Sequence, residues 1–276
     1  MYRRRYDIHL ALCACLLMSC YQDKSGCLDV DANNFSIDAD EDCCGDAPGI
    51  DDVCCCTYPD MIININHLHG TENVALNTPY ENELGQLYLI SNIDFYISSI
   101  RVFEQAWHTV NNRLEAVSTG TGENLVDDAT MISPNSFQYR IGDFTAAGTF
   151  DSLTLDIGPP LGIDEVDLAQ LSSGHALDTS SNTLFDADVG AYLSYKVELI
   201  TDTVEMKSRI FHAIAQDRYS VQLSLASTKL RGSDLSIPIS VDYKEWFDQV
   251  DLLSVDSIEV GEIIGSQIPR SISIIE

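Results

Sequence analysis

Six cysteines lie between Cys27 and Cys56, and none follows Cys56. The other three, Cys13, Cys15 and Cys20, sit at the N-terminus. Such clustering predicts a small stapled module followed by a large cysteine-free domain. The module, Gly26 to Pro59, contains no Lys or Arg and few apolar side chains. It cannot build a core of its own, so covalent or metal staples must hold it. Outside the cytoplasm, Cys27, Cys43, Cys44, Cys54, Cys55 and Cys56 can form up to three disulfides, with the pairing open. Zinc is disfavoured there because the compartment oxidises thiols.

The N-terminus carries a positive head, Arg3 to Arg5, and then a short apolar run, Leu10 to Met18. That run is too short to span a bilayer. It ends in Leu17-Met18-Ser19-Cys20, which resembles the lipobox of bacterial lipoproteins. The resemblance implies cleavage before Cys20, lipid on Cys20 and membrane anchoring by acyl chains. The expected location is the outer membrane, on its periplasmic or cell-surface side. An ordinary cleaved signal with Cys20 as a bystander is the plainer reading. No later segment reaches the ~18 continuous apolar residues of a membrane helix.

The chain has 43 acidic and 15 basic residues, a formal charge of -28. That argues against a nucleic-acid partner, which needs basic surface to neutralise phosphates. In the module, Asp29, Asp31, Asn33, Asp38 and Asp40 place side-chain oxygens at alternating positions, an arrangement that suits calcium. As an EF-hand the segment is defective: Asn34 replaces the turn glycine and Asp40 the long bidentate glutamate. A disulfide-closed acidic spacer explains the same residues. The module resembles the short Gly-Cys-x-Asp-x-x-Ala-x-Asn-Tyr repeats, closing in Cys-x-Tyr-Pro, of secreted Bacteroidota proteins; Cys43-Cys44 departs from that pattern.

From Met61 onward the apolar period is two. Tyr219, Val221, Leu223 and Leu225 alternate with Ser220, Gln222 and Ser224, and 191–199 repeat the pattern. The strongest run is Leu87 to Phe103. Period two broken by Gly, Asn, Asp and Pro predicts an all-β fold, an antiparallel β-sandwich. Long helical stripes are nearly absent; 166–171 and 243–250 are candidates for short helices. The predicted organisation is a signal peptide over 1–19, a Cys-rich acidic module over 20–60 and a sandwich domain over 61–276.

Several stretches, in order, resemble one family. His67-Leu68-His69-Gly70 leads to Tyr80-Glu81-Asn82-Glu83-Leu84-Gly85, then Ile93-Asp94-Phe95-Tyr96-Ile97-Ser98-Ser99-Ile100. Thr149 to Gly158, His175-Ala176-Leu177 and Ile210-Phe211-His212 follow. The series resembles the MbnP-like copper-binding family. The resemblance implies an extracytoplasmic β-sandwich and, in some members, copper held by two histidines beside a tryptophan that a dihaem peroxidase-like partner oxidises. The matching histidines are His67, His175 and His212. Imidazole suits copper. His67 and His212 are expected to approach each other, with His175 or water completing the site. The run Leu184 to Tyr192, where the family carries its tryptophan, has none; Trp107 and Trp246 are the only two in the chain.

Nothing in the sequence carries an enzyme motif: no Gly-x-Ser-x-Gly elbow, phosphate loop or His-Glu-x-x-His. The function expected is metal binding, copper foremost, without turnover. The alternative is a surface interaction protein, binding protein or glycan, whose sandwich has lost the metal.

Overall fold

The computed structural model describes residues 22–43, 55–117, 124–165, 171–180, 182–188, 190–202, 205, 207–214 and 217–275. The signal segment, Cys20, Cys44, Cys54 and most of the candidate helix at 166–171 lie outside them. The chain divides into two compact units, Met1–Tyr58 and Pro59–Glu276.

The first unit has a two-stranded parallel sheet, β1 (Ser25–Gly26) and β2 (Glu41–Asp42). Disulfides join Cys27 to Cys56 and Cys43 to Cys55. Its only buried apolar side chains among the described residues are Cys27 and Ala32, whereas Leu28, Val30, Phe35 and Ile37 are exposed. The cross-links therefore stand in for a core, as a module this small and acidic requires.

The second unit is a β-sandwich. Its larger sheet has nine strands: β5 (Pro79–Glu81), β6 (Leu87–Phe103), β7 (Trp107–His108), β10 (Thr130–Ile132), β12 (Gly148–Ile157), β13 (Phe185–Asp186), β14 (Ala191–Asp202), β15 (Lys207–Ile214) and β16 (Tyr219–Lys229). All its pairings are antiparallel. The smaller sheet holds β3 (Asp60–His69), β4 (Glu72–Asn73), β11 (Gln138–Asp143), β17 (Leu235–Asp242) and β18 (Ile272–Ile274). Within it, β3 and β17 run parallel, which alternation cannot reveal. A hairpin, β8 (Arg113–Val117) and β9 (Asn124–Val126), stands apart. No helix among the described residues is long and apolar enough to cross a membrane.

The two sheets face each other across one core. Met61, Ile63 and Ile65 from β3 and Ile237, Ile239 and Val241 from β17 meet Ile93, Phe95, Val197 and Phe211 from the larger sheet. A smaller cluster, including Tyr96, Leu177, Leu184 and Tyr192, packs on the far face of β6 and β14. There, segments 171–180 and 182–188 cover the sheet.

Two helices follow β17. The short α1 (Lys244–Phe247) lies within the predicted 243–250 stretch and buries Trp246 and Phe247. The second, α2 (Ser257–Ser271), departs from the expectation of almost no long helix. Asp256 caps it: its Oδ1 accepts the N–H groups of Ile258 and Glu259. Val260, Ile264 and Ile268 form its buried stripe. Gly261 and Gly265 lie beside them, and a Cβ on Gly261 would stand 2.6 Å from the His212 carbonyl oxygen. Close approach to β15 and β16 thus demands residues that weaken a helix by roughly 1 kcal/mol each relative to alanine. Pro269 weakens the sequence signal further.

One buried acid bonds the backbone of β6 beside its irregularity. Ser99 has a left-handed φ of 54°, and the register of β6 against β12 shifts at this level. Asp128, 3% exposed, accepts the Ile100 N–H at 2.7 Å. Burial pushes its carboxyl up to about 6. The folded state then holds this proton more tightly than the unfolded chain, so stability falls as pH rises from about 4 to about 6 and is flat above. That loss is roughly 2–3 kcal/mol for this group. Asp128→Asn should remove this part of the pH slope; an unchanged slope in urea denaturation between about pH 4 and 6 would refute the assignment.

Candidate functional site

The three histidines drawn together by the sequence are separated by the fold. His67 falls in the inward register of β3, after Met61, Ile63 and Ile65, and is 2% exposed. Its Nε2 lies 2.8 Å from the Ser136 carbonyl and its Nδ1 2.7 Å from the Tyr243 hydroxyl. A carbonyl only accepts, so Nε2 carries the proton and the Tyr243 hydroxyl donates to Nδ1. Burial holds its pKa below the usual imidazole value, against the opposing pull of the Ser136 carbonyl. Both nitrogens are engaged, and neither can take a metal without breaking a buried hydrogen bond. The geometry is that of a core histidine.

His175 is placed in the covering segment on the far face of the larger sheet. Its Nδ1 accepts the Leu177 N–H at 3.1 Å, and its Nε2 faces Asp127 at 3.1 Å. Again both nitrogens are engaged. Asp127 and His175 line a cavity of about 420 Å³ with Arg140 and Met131.

His212 sits on β15, an edge strand paired with β14, opposite Lys196. Phe211 and Ala213 point into the core, so His212 points out and is exposed. Alternation thus puts His67 inside one sheet and His212 on the outer face of the other. The expected approach of His67 and His212 does not form, and His175 joins neither.

His212 instead lines a basin of about 390 Å³ with Phe185, Asp186, Asp188, Lys196 and Ile210. This is the Leu184–Tyr192 run in which the family carries its tryptophan, so the fold does join His212 to that segment. No hydrogen bond engages the His212 imidazole among the described residues, whereas the other two have every ring nitrogen paired. Asp186 Oδ1 accepts the Asp188 N–H at 2.9 Å, holding the two acids in one turn. The groups lining the basin include one imidazole, two carboxylates and one ammonium.

His69 also differs from a solvent-facing residue. It is half-buried, stacks on Tyr80 with ring centroids 3.7 Å apart, and its Nε2 lies 2.8 Å from the Tyr88 hydroxyl. Desolvation lowers its pKa, with Asp242 opposing. Its alternation with His67 was the visible signal; its aromatic neighbours come from β5 and β6.

Several of the residues suited to calcium make local hydrogen bonds. Asp29 Oδ1 accepts the Asp31 N–H at 2.9 Å, and its Oδ2 accepts the Tyr58 hydroxyl at 3.0 Å. Asn33 donates to the Tyr58 carbonyl, and Asp40 accepts the Lys24 N–H. Asp38 is exposed. Among the described residues, the one group of three His, Cys, Asp or Glu donors within 4.8 Å of one another is Asp42, Cys43 and Cys56. Both its sulfurs are in disulfides and are not thiolate ligands.

A two-sheet sandwich behind a disulfide-stapled module, with one open histidine on its outer face, defines the class. The chain belongs to the MbnP family, whose model matches residues 58–261. Among solved structures, MbnP from Methylosinus trichosporium aligns with a TM-score of 0.41 at 8% identity, covering 69% of this chain and 78% of that one. No curated protein matches the chain.

Proposed function

We propose that this chain is an extracytoplasmic binding protein without turnover that takes copper at the His212 basin. The reading rests on His212, whose imidazole alone of the three is free of hydrogen bonds among the described residues and opens beside Asp186 and Asp188. Imidazole with carboxylate oxygens suits divalent copper. Family membership supports the metal. Lys196 in the same basin lowers the affinity for a cation. A dihaem partner that oxidises tryptophan would meet Phe185 in this run, so the binding role is proposed without that step. The paired cysteines support an oxidising compartment, and the Leu17-Met18-Ser19-Cys20 sequence supports lipid anchoring at Cys20.

Copper titration of the purified chain tests the reading. His212→Ala should weaken binding at least about tenfold. His67→Phe and His175→Gln should bind as the parent does, His67→Phe with reduced stability. Copper retained by His212→Ala would overturn the assignment. A parent chain that takes no copper would favour the interaction-protein reading. That reading has its own support: Ile210 and Ile214, 46% and 40% exposed, flank His212 as an apolar strip on an edge strand.

A further inference from the structure

A second cavity, of about 380 Å³, opens elsewhere on the sandwich between β6, β7 and the chain before β10. Trp107, 46% exposed, forms one wall, and Leu161, 72% exposed, forms part of its rim. The indole is fixed in place. Trp107 pairs with Phe103 in the β6–β7 ladder, and Phe103 braces it at a centroid distance of 5.1 Å. A rigid exposed ring offers a flat apolar face at little entropic cost on binding.

The rest of the lining is mixed: Leu125, Val126 and Pro160 are apolar, and polar groups stand among them. Arg101 and His108 line the cavity, and neither has a hydrogen-bond partner among the described residues. Asp128, which accepts the Ile100 N–H, also lines the cavity. Ser99 lines it too; its Oγ accepts from Arg218 at 3.0 Å and keeps its own proton to donate. Ser99, in its left-handed conformation, precedes Ile100, whose N–H donates to Asp128.

We propose that this cavity binds a saccharide, with one pyranose ring stacked on Trp107 and its oxygens accepting hydrogen bonds from Arg101, His108 and Ser99. The volume matches a mono- or disaccharide within the usual range of small-ligand sites. A wholly apolar ligand would leave the donors unpaired, at a cost of roughly 1–3 kcal/mol for each one buried. A small inorganic anion would leave the indole unused. A pyranose presents C–H bonds on one face and hydroxyls around its edge, matching the indole and the polar groups. The site shares no lining residue with the His212 basin and is independent of the copper reading.

The test uses the full chain and a panel of neutral and acidic mono- and disaccharides, read by calorimetry and intrinsic fluorescence. Trp246 is fully buried, so a change in emission on adding sugar reports Trp107. At least one saccharide should bind with Kd of about 1 mM or tighter. Trp107→Ala should weaken it at least about tenfold and Arg101→Gln about fivefold, thermal melts showing both variants folded. His212→Ala should leave the sugar affinity unchanged, and Trp107→Ala should leave copper binding unchanged. No saccharide binding up to about 50 mM would overturn the proposal. So would affinity that survives Trp107→Ala, or tighter binding of planar heteroaromatics such as adenine than of any sugar.

Discussion

Replacing Trp246 by alanine should lower the stability of the sandwich by about 3–5 kcal/mol. Trp246 is fully buried between the two sheets. Its ring meets Phe95 and Tyr195 of the larger sheet edge-on at 5.5 and 6.0 Å, and Tyr243 at 5.1 Å. Its Nε1 donates to Ser271 Oγ at 2.8 Å, tying α1 to the end of α2. Truncation would therefore leave a cavity at the junction of both sheets and both helices and strip Ser271 of its donor. In a domain of this size that is a fall of roughly 6–20 °C in Tm. Trp107→Ala removes an exposed indole and serves as the control, within about 0.5 kcal/mol of the parent. Equal melting temperatures for the two variants would contradict the placement of Trp246.

In the module the comparable effect is covalent. Serine at both Cys27 and Cys56 should cost the module roughly 3–4 kcal/mol, because that bridge closes a loop with a sequence separation of 29. The shorter Cys43–Cys55 loop, with a separation of 12, should be worth about 3 kcal/mol. Among the module's described residues only Cys27 and Ala32 are buried, so the cross-link should carry much of its stability. Amide exchange reads the effect locally: the N–H of Ser36, bonded to the Cys27 carbonyl, and that of Ala32, bonded to the Asp29 carbonyl, should lose protection. Protection that persists in the double serine variant would mean that something other than the bridge holds the module.

The two variants also mark which parts were legible in advance. Cysteine position alone separated module from sandwich, since a segment with so few apolar residues can fold only through staples. Period-two alternation gave the strands, because one face of a pleated sheet must be buried. The structure adds the orientation of His67, which shares a face of β3 with Met61, Ile63 and Ile65 and so lies in the core rather than at a metal site. Trp246 was legible as core from its amphipathic surroundings. By contrast, α2 was hidden by Gly261 and Gly265, which close packing against β15 and β16 requires, and by Pro269; helix propensity disfavours all three. The strand of Trp107 and His108 is also invisible to alternation, because two residues have no period to detect.

The sequence by itself determined the class of fold, the division of the chain and its family, all of which depend on local pattern or on the order of short motifs. Only the tertiary structure decided what each histidine does. Side-chain chemistry is the same at His67, His175 and His212, but its use depends on which distant groups arrive beside it. Ser136 and Tyr243 reach His67 from elsewhere in the chain, Asp127 reaches His175, and the 182–188 segment comes to the basin beside His212. Those meetings are set by strand pairing and sheet packing, which no local pattern encodes.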